Sequence, residues 1–123
     1  MAIVLLRLLW RRAYPVAAAD ENIPRWQQTV ALATHWLLYG LLLLLPILGW
    51  AAASARDWTV TVFKLVSLPH LVPANARIGL VAGDVHVVLS YVLLGLIGLH
   101  VAAGVYHYFF LRDRVLQRML PED

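Results

Sequence analysis

Two long apolar runs limit what this chain can become. Residues 27–55, "QQTVALATHWLLYGLLLLLPILGWAAASA", carry no formal charge, and residues 79–111 are broken only by Asp84 near their start. A bilayer core is about 30 Å thick and a helix rises about 1.5 Å per residue, so roughly 20 apolar residues cross it. Each run is long enough. The chain is 62% hydrophobic and only 14% charged, too apolar for an ordinary soluble domain. Lipid is the solvent that this composition implies. The second run, about 50 Å long as a helix, should project beyond the hydrocarbon at the end bearing Arg77 and Asp84.

A third apolar piece, "MAIVLLRLLW", is shorter than a span and holds Arg7. A signal peptide puts its basic residues before the apolar core and small residues at its cleavage region. Here Arg7 interrupts the core, and Arg11 and Arg12 follow it. The segment reads instead as the last turns of a transmembrane helix. The expected fold class is therefore all-α: an integral membrane helical bundle of two full transmembrane helices plus the tail of a third, in one domain over residues 1–123.

Residues 11–27 read as a turn-rich connector, with Pro15, Pro24 and the Asp20–Glu21 pair, while Tyr14 and Trp26 suit an interfacial aromatic belt. Pro46, followed by Gly49, predicts a kink in the outer third of the first span. The loop 56–77 is apolar, holds Trp58 and Phe63, and is punctuated by Pro69 and Pro73. It is expected to lie across the outer end of the bundle as an interfacial, partly helical segment.

Cysteine is absent, which excludes disulfides, thiolate metal sites, iron–sulfur clusters and covalently attached c-type haem. Any metal or haem must be held by imidazole. The net charge of +3 calls for no nucleic-acid partner, because the basic residues lie where membrane topology puts them. Arg7, Arg11, Arg12, Arg25, Arg112, Arg114 and Arg118 flank the spans on one side, against Arg56, Lys64 and Arg77 in the middle loop. Seven positives against three place the middle loop outside and the C-terminus in the cytoplasm.

The stretch "HVVLSYVLLGLIGLHVAAGVYH" sets His86, His100 and His107 in apolar surroundings. Polar side chains are costly in a bilayer and usually face the bundle interior or mark a functional path. Fourteen residues bring a helical side chain to within about 40° of its starting direction and advance it about 21 Å, and seven more leave it about 20° off and about 10 Å further on. The three histidines thus form one stripe. A neutral imidazole is a ready axial ligand for haem iron, and haem fits between bundle helices. Two ligands at the His86–His100 spacing would stack two haems across the membrane, one near each surface. Gly83, Gly95, Gly98, Ala102, Ala103 and Gly104 remove bulk where a porphyrin or a neighbouring helix comes close. The plainer alternative is that the histidines make interhelical hydrogen bonds and the small residues merely pack.

The motifs "RLLWRRAYP" at 7–15, "HWLLYGLLLLLPILGW" at 35–50 and "GLHVAAGVYHYFFLRDRVLQRMLP" at 98–121 resemble the bacterial cytochrome b561 family. That family is itself similar to the cytochrome b subunits of nickel–iron hydrogenases and formate dehydrogenases. The resemblance covers essentially the whole chain, the last motif being the most specific. It implies four core helices and two b-type haems, with His86 ligating the outer haem and His100 the inner one, and the remaining axial ligands coming from the first two helices. This chain resembles the carboxy-terminal two-thirds of a member, beginning within the tail of helix two. Val87 departs from relatives in which a polar or acidic residue often follows the outer histidine.

The function so implied is haem b electron transfer across the bacterial inner membrane, between a quinone pool such as ubiquinone and a redox partner protein or superoxide. Both a superoxide:quinone oxidoreductase and a non-enzymatic relay subunit fit. The resemblance puts His35 near the inner haem or a quinone. Its depth, ten residues inside Arg25, matches that of His100, twelve residues inside Arg112, so it is also a candidate substitute sixth ligand. His107 is a candidate contact for a quinone or a haem propionate, or simply snorkels to water. Arg7, Arg11 and Arg25 are candidate propionate partners or topology signals. His70 is an interface residue or an outer propionate contact. Rival readings are a helix-packing or proton-relay module, for which only Asp84 offers a nearby carboxylate, and a fragment inactive unless homodimerisation restores a four-helix environment.

Overall fold

The computed structural model describes residues 2–14 and 24–111. The predicted connector with Pro15, Asp20 and Glu21, and the tail with Arg112, Arg114 and Arg118, lie outside the described residues. In chain order the elements are α1 (Ala2–Ala13), α2 (Arg25–Ala55), a small hairpin of β1 (Thr61–Val62) and β2 (Val66–Ser67), and α3 (Arg77–Tyr106), which continues into one π-helical turn (His107–Leu111). α2 has 31 residues and α3 has 30, or about 46 and 45 Å of helix, more than the hydrocarbon requires. None of the most apolar stretch of α3 is buried. An apolar helix in a soluble protein hides in its core; this one turns its apolar side chains outward, as a helix in lipid does. α1 is the predicted shorter helix, with Val4, Leu8 and Arg11 on its less exposed face.

α2 begins directly after Pro24, whose carbonyl accepts the Gln27 N–H at 2.9 Å, and it runs through Pro46 as one continuous helix. Its end is sharply made. Asp57 adopts the left-handed conformation (φ 58°), its N–H donates to the Ser54 carbonyl at 3.0 Å, and the Trp58 N–H reaches back to the Ala53 carbonyl at 2.9 Å. This is a Schellman termination with Asp in the position that glycine usually fills.

The outer loop corrects the expectation of partial helix. Thr59, Val60, Thr61 and Val62 are β-branched and favour extended backbone, and they form the hairpin's first arm. Phe63 and Lys64 both take positive φ, 52° and 59°, and the Leu65 N–H closes the turn on the Val62 carbonyl at 3.0 Å. The return segment is strapped to the end of α2. The Trp50 Nε1–H donates to the Pro69 carbonyl at 3.1 Å, the Leu71 N–H to Ser54 Oγ at 2.9 Å, and the Asn75 N–H to the Ala55 carbonyl at 2.8 Å.

α3 then returns along α2. At the loop-bearing end, the outer end of the expected topology, the two backbones nearly touch: a Cβ on Gly79 would sit 2.5 Å from the Ala55 Cβ and 2.8 Å from the Ala51 carbonyl oxygen. Ser54, Ala55, Gly79 and Gly83 are buried there, and Leu41, Leu45 and Ala52 extend the contact inward along α2. In lipid no hydrophobic gain drives helices together, so close approach of small residues and interhelical hydrogen bonds hold this pair.

Candidate functional site

Because α3 is unbroken through its 30 residues, the helical reckoning of the histidine stripe can be checked directly. Its less exposed positions recur at Ala82, His86, Leu89, Leu93, Leu96 and His100, the spacing of one helix face. That face is turned toward α2. His86 and His100 lie on it at two levels, about 21 Å apart along the axis.

At the outer level the His86 Nδ1–H donates to the Leu45 carbonyl of α2 at 2.9 Å. A carbonyl can only accept, so the proton resides on Nδ1 and the lone pair is on Nε2. The ring lies against Gly49, where a Cβ would come within 3.1 Å of Cε1 and 3.3 Å of Nδ1. Glycine at 49 is therefore what admits the imidazole against the α2 backbone. An imidazole that binds a metal through one nitrogen commonly donates its other N–H to a carbonyl, which fixes tautomer and orientation. His86 has that arrangement, and its donor set fits haem iron at Nε2.

At the inner level His100 meets His35 of α2, the ring centroids 5.0 Å apart and the planes at 82°. The His35 Nδ1–H donates to the Ala31 carbonyl one turn back at 2.6 Å, again leaving Nε2 as the acceptor. Neither ring nitrogen of His100 makes a hydrogen bond among the described residues. The predicted match in depth between His35 and His100 thus becomes an edge-to-face contact.

The other predicted site residues are not gathered at these levels. His107 opens the π-helical turn, its ring 6.5 Å from that of Tyr106. Arg7 on α1 and Arg25 at the start of α2 are exposed. His70 ties the outer loop down, with Nδ1–H to the Ser54 carbonyl at 3.3 Å and Nε2 3.8 Å from Asp57 Oδ1. No cluster of three His, Asp or Glu side chains able to hold a metal occurs among the described residues. Among the described residues the chain offers one imidazole at the outer level and the His35–His100 pair at the inner one.

Three features escape a reading of the sequence that follows histidines. Gly49 is the complement of His86, Ser54 is the fully buried junction of the loop strap, and Arg56 folds back into the α2–α3 seam. The signal available for the seam was Gly79-x-x-x-Gly83, a small-residue repeat of the kind that brings membrane helices together. Gly95 and Gly98 behave differently, since a Cβ on either would meet nothing within 4 Å.

Comparison with known proteins bears on the whole chain. The sequence model of the family described as prokaryotic cytochrome b561 matches residues 1–122. A Yersinia pestis protein named probable superoxide oxidase CybB is 29% identical over 122 residues, covering 99% of this chain and 69% of that protein. Cytochrome b561 homolog 1 of Escherichia coli (strain K12) is 30% identical over 117 residues, covering 94% of this chain and 65% of the relative. The chain spans about two thirds of the length of the curated relatives it matches.

Proposed function

Because this chain belongs to the prokaryotic cytochrome b561 family, whose members are haem b-binding electron-transfer proteins of bacterial membranes, we propose that it carries electrons across the bilayer through two haems, one ligated by His86 and one by His100. The observation that carries this reading is the His86 imidazole: its Nδ1–H is committed to the Leu45 carbonyl at 2.9 Å, which orients Nε2 as the ligand. His100, on the same face about 21 Å along the helix, supports a second level near the opposite surface.

Haem b, when bound, supplies one-electron chemistry, and the protein supplies ligation, orientation and burial. α3 gives one imidazole to each level. At the outer level Leu45 and Gly49 face His86 from α2, so any further imidazole for that haem would come from another helix or from a second copy of this chain. His35 and His107 contact a quinone or a haem propionate on the inner side, where Arg7 and Arg25 serve propionates. The hairpin loop faces the periplasm and the C-terminus faces the cytoplasm, by the distribution of arginine. The name of the Yersinia pestis relative supports superoxide as electron donor. Two superoxide ions would each give up one electron and leave as dioxygen, and a quinone taking both electrons and two protons would leave as quinol.

The test is the absorption spectrum of the reduced, purified protein together with its haem-to-chain ratio. His86→Ala and His100→Ala should each lose a different haem, seen as loss of distinct components of the b-type α band. A colourless protein rejects electron transfer for this chain, and two haems surviving in His86→Ala reject the assigned ligand.

A further inference from the structure

We infer that Arg56 is a carboxylate anchor for the outer level, positioned to hold a propionate of the haem that His86 ligates; this rests on the haem reading above. Arg56 is the residue that caps the C-terminal end of α2. Its Nη1–H donates to the Ala52 carbonyl at 3.1 Å, and its guanidinium carbon stands 5.9 Å from the centroid of the Trp58 ring. Nη1 and Nη2 lie 2.9 and 3.1 Å from where a Cβ on Gly83 would be. The residue as a whole is exposed, but its guanidinium is laid back against the helix pair rather than extended away from it. It lies in a notch that exists because position 83 has no side chain.

An arginine that served only the helix terminus would need a carbonyl and nothing more. This one needs Gly83 of the opposite helix as well, and Gly83 is three residues before His86. Three residues are about 4.5 Å of helix rise, so the cation sits one turn outward from the ligating imidazole, at the end of the span where a haem's carboxylates meet water. Its charge is not spent on an acid among the described residues. The ion pair found among the described residues joins His70 to Asp57, and none joins Arg56 to a carboxylate, Asp84 included. A guanidinium carries five N–H donors in a planar fork that matches a carboxylate in bidentate fashion, and the Ala52 carbonyl occupies one of them. Trp58 and the Ala52 carbonyl hold the fork in place, which lowers the entropy lost when an anion docks.

A fixed cation beside the outer haem favours the form carrying the extra electron, so its removal should lower that haem's midpoint potential and leave the inner one where it is. Redox titration of the haem-loaded protein tests this, the outer haem's band being identified by its absence in His86→Ala. Arg56→Gln should shift the outer potential downward or cut the outer haem content. Arg56→Lys, which keeps the charge, should retain most of both. Gly83→Ala leaves the arginine in the chain but fills its notch, and should shift the outer potential in the same direction by less. An Arg56→Gln protein with full haem content and two unchanged potentials overturns the inference while leaving the haem reading intact. Should Arg56→Gln fail to assemble, an unchanged outer potential in Gly83→Ala overturns it instead. A wild-type protein without haem removes both.

Discussion

The two ends of the α2–α3 pair are built differently. At the outer end Gly79 and Gly83 let the backbones close, Ser54 and Ala55 are buried to 1% exposure, and the loop strap ties Pro69, Leu71 and Asn75 to the end of α2. At the inner end the contact between the helices includes the edge-to-face meeting of His35 and His100, while Gly40, Gly95 and Gly98 face open space. One end is closed by the pair itself. The other sets two imidazoles against each other and leaves bare glycine backbone open to whatever lies beside it in the membrane. Substitutions at the outer end should therefore be felt first in stability, except where they touch His86, and those at the inner end first in cofactor binding.

The sharpest break in that comparison is Gly49→Leu. The position lies against the His86 ring, with 3.1 Å between a Cβ there and Cε1. A leucine should force the imidazole off the Leu45 carbonyl and remove the outer haem while the inner one stays, which the reduced α band would report. If both haems survive, the orientation of His86 does not depend on its seat on α2.

A smaller effect comes from placing one methyl group at each end. Gly79→Ala sets a Cβ 2.8 Å from the Ala51 carbonyl oxygen, and backbone cannot swing aside as a side chain can. The cost of such overpacking is about 1–3 kcal/mol, to be read as a lower unfolding temperature in detergent. Gly98→Ala meets no atom within 4 Å. It should leave the pair unharmed or stabilise the helix by up to about 1 kcal/mol through helix propensity. A Gly98→Ala protein that unfolds normally but binds less haem at the His100 level would show that the bare face is occupied by cofactor or by another helix, and a protein normal in both respects would remove that difference between the ends.

Much of this is legible in the sequence. The two long apolar runs declare two spans because a helix satisfies its backbone within one segment in lipid, and the fourteen-residue step between His86 and His100 declares a shared face because a helix turns about 100° per residue. The loop reads as partly helical if its overall apolarity is allowed to outweigh the β-branched run at 59–62, the local signal for extended backbone. Gly49 and Arg56 were not legible as site residues at all. Their roles depend on His86 and Gly83, which lie far along the chain and come near only when α3 folds back.

The sequence by itself determined the solvent, the number of long helices and the face that carries the histidines, since hydropathy and helical period are local properties of a chain. Only the tertiary structure decided that His86 donates to Leu45, that His35 meets His100, and that an arginine lies in a glycine notch one turn from the outer imidazole. Each of these joins atoms on different helices. Their meeting depends on the register of α2 against α3, set by the close approach at Gly79 and by the strap across Ser54.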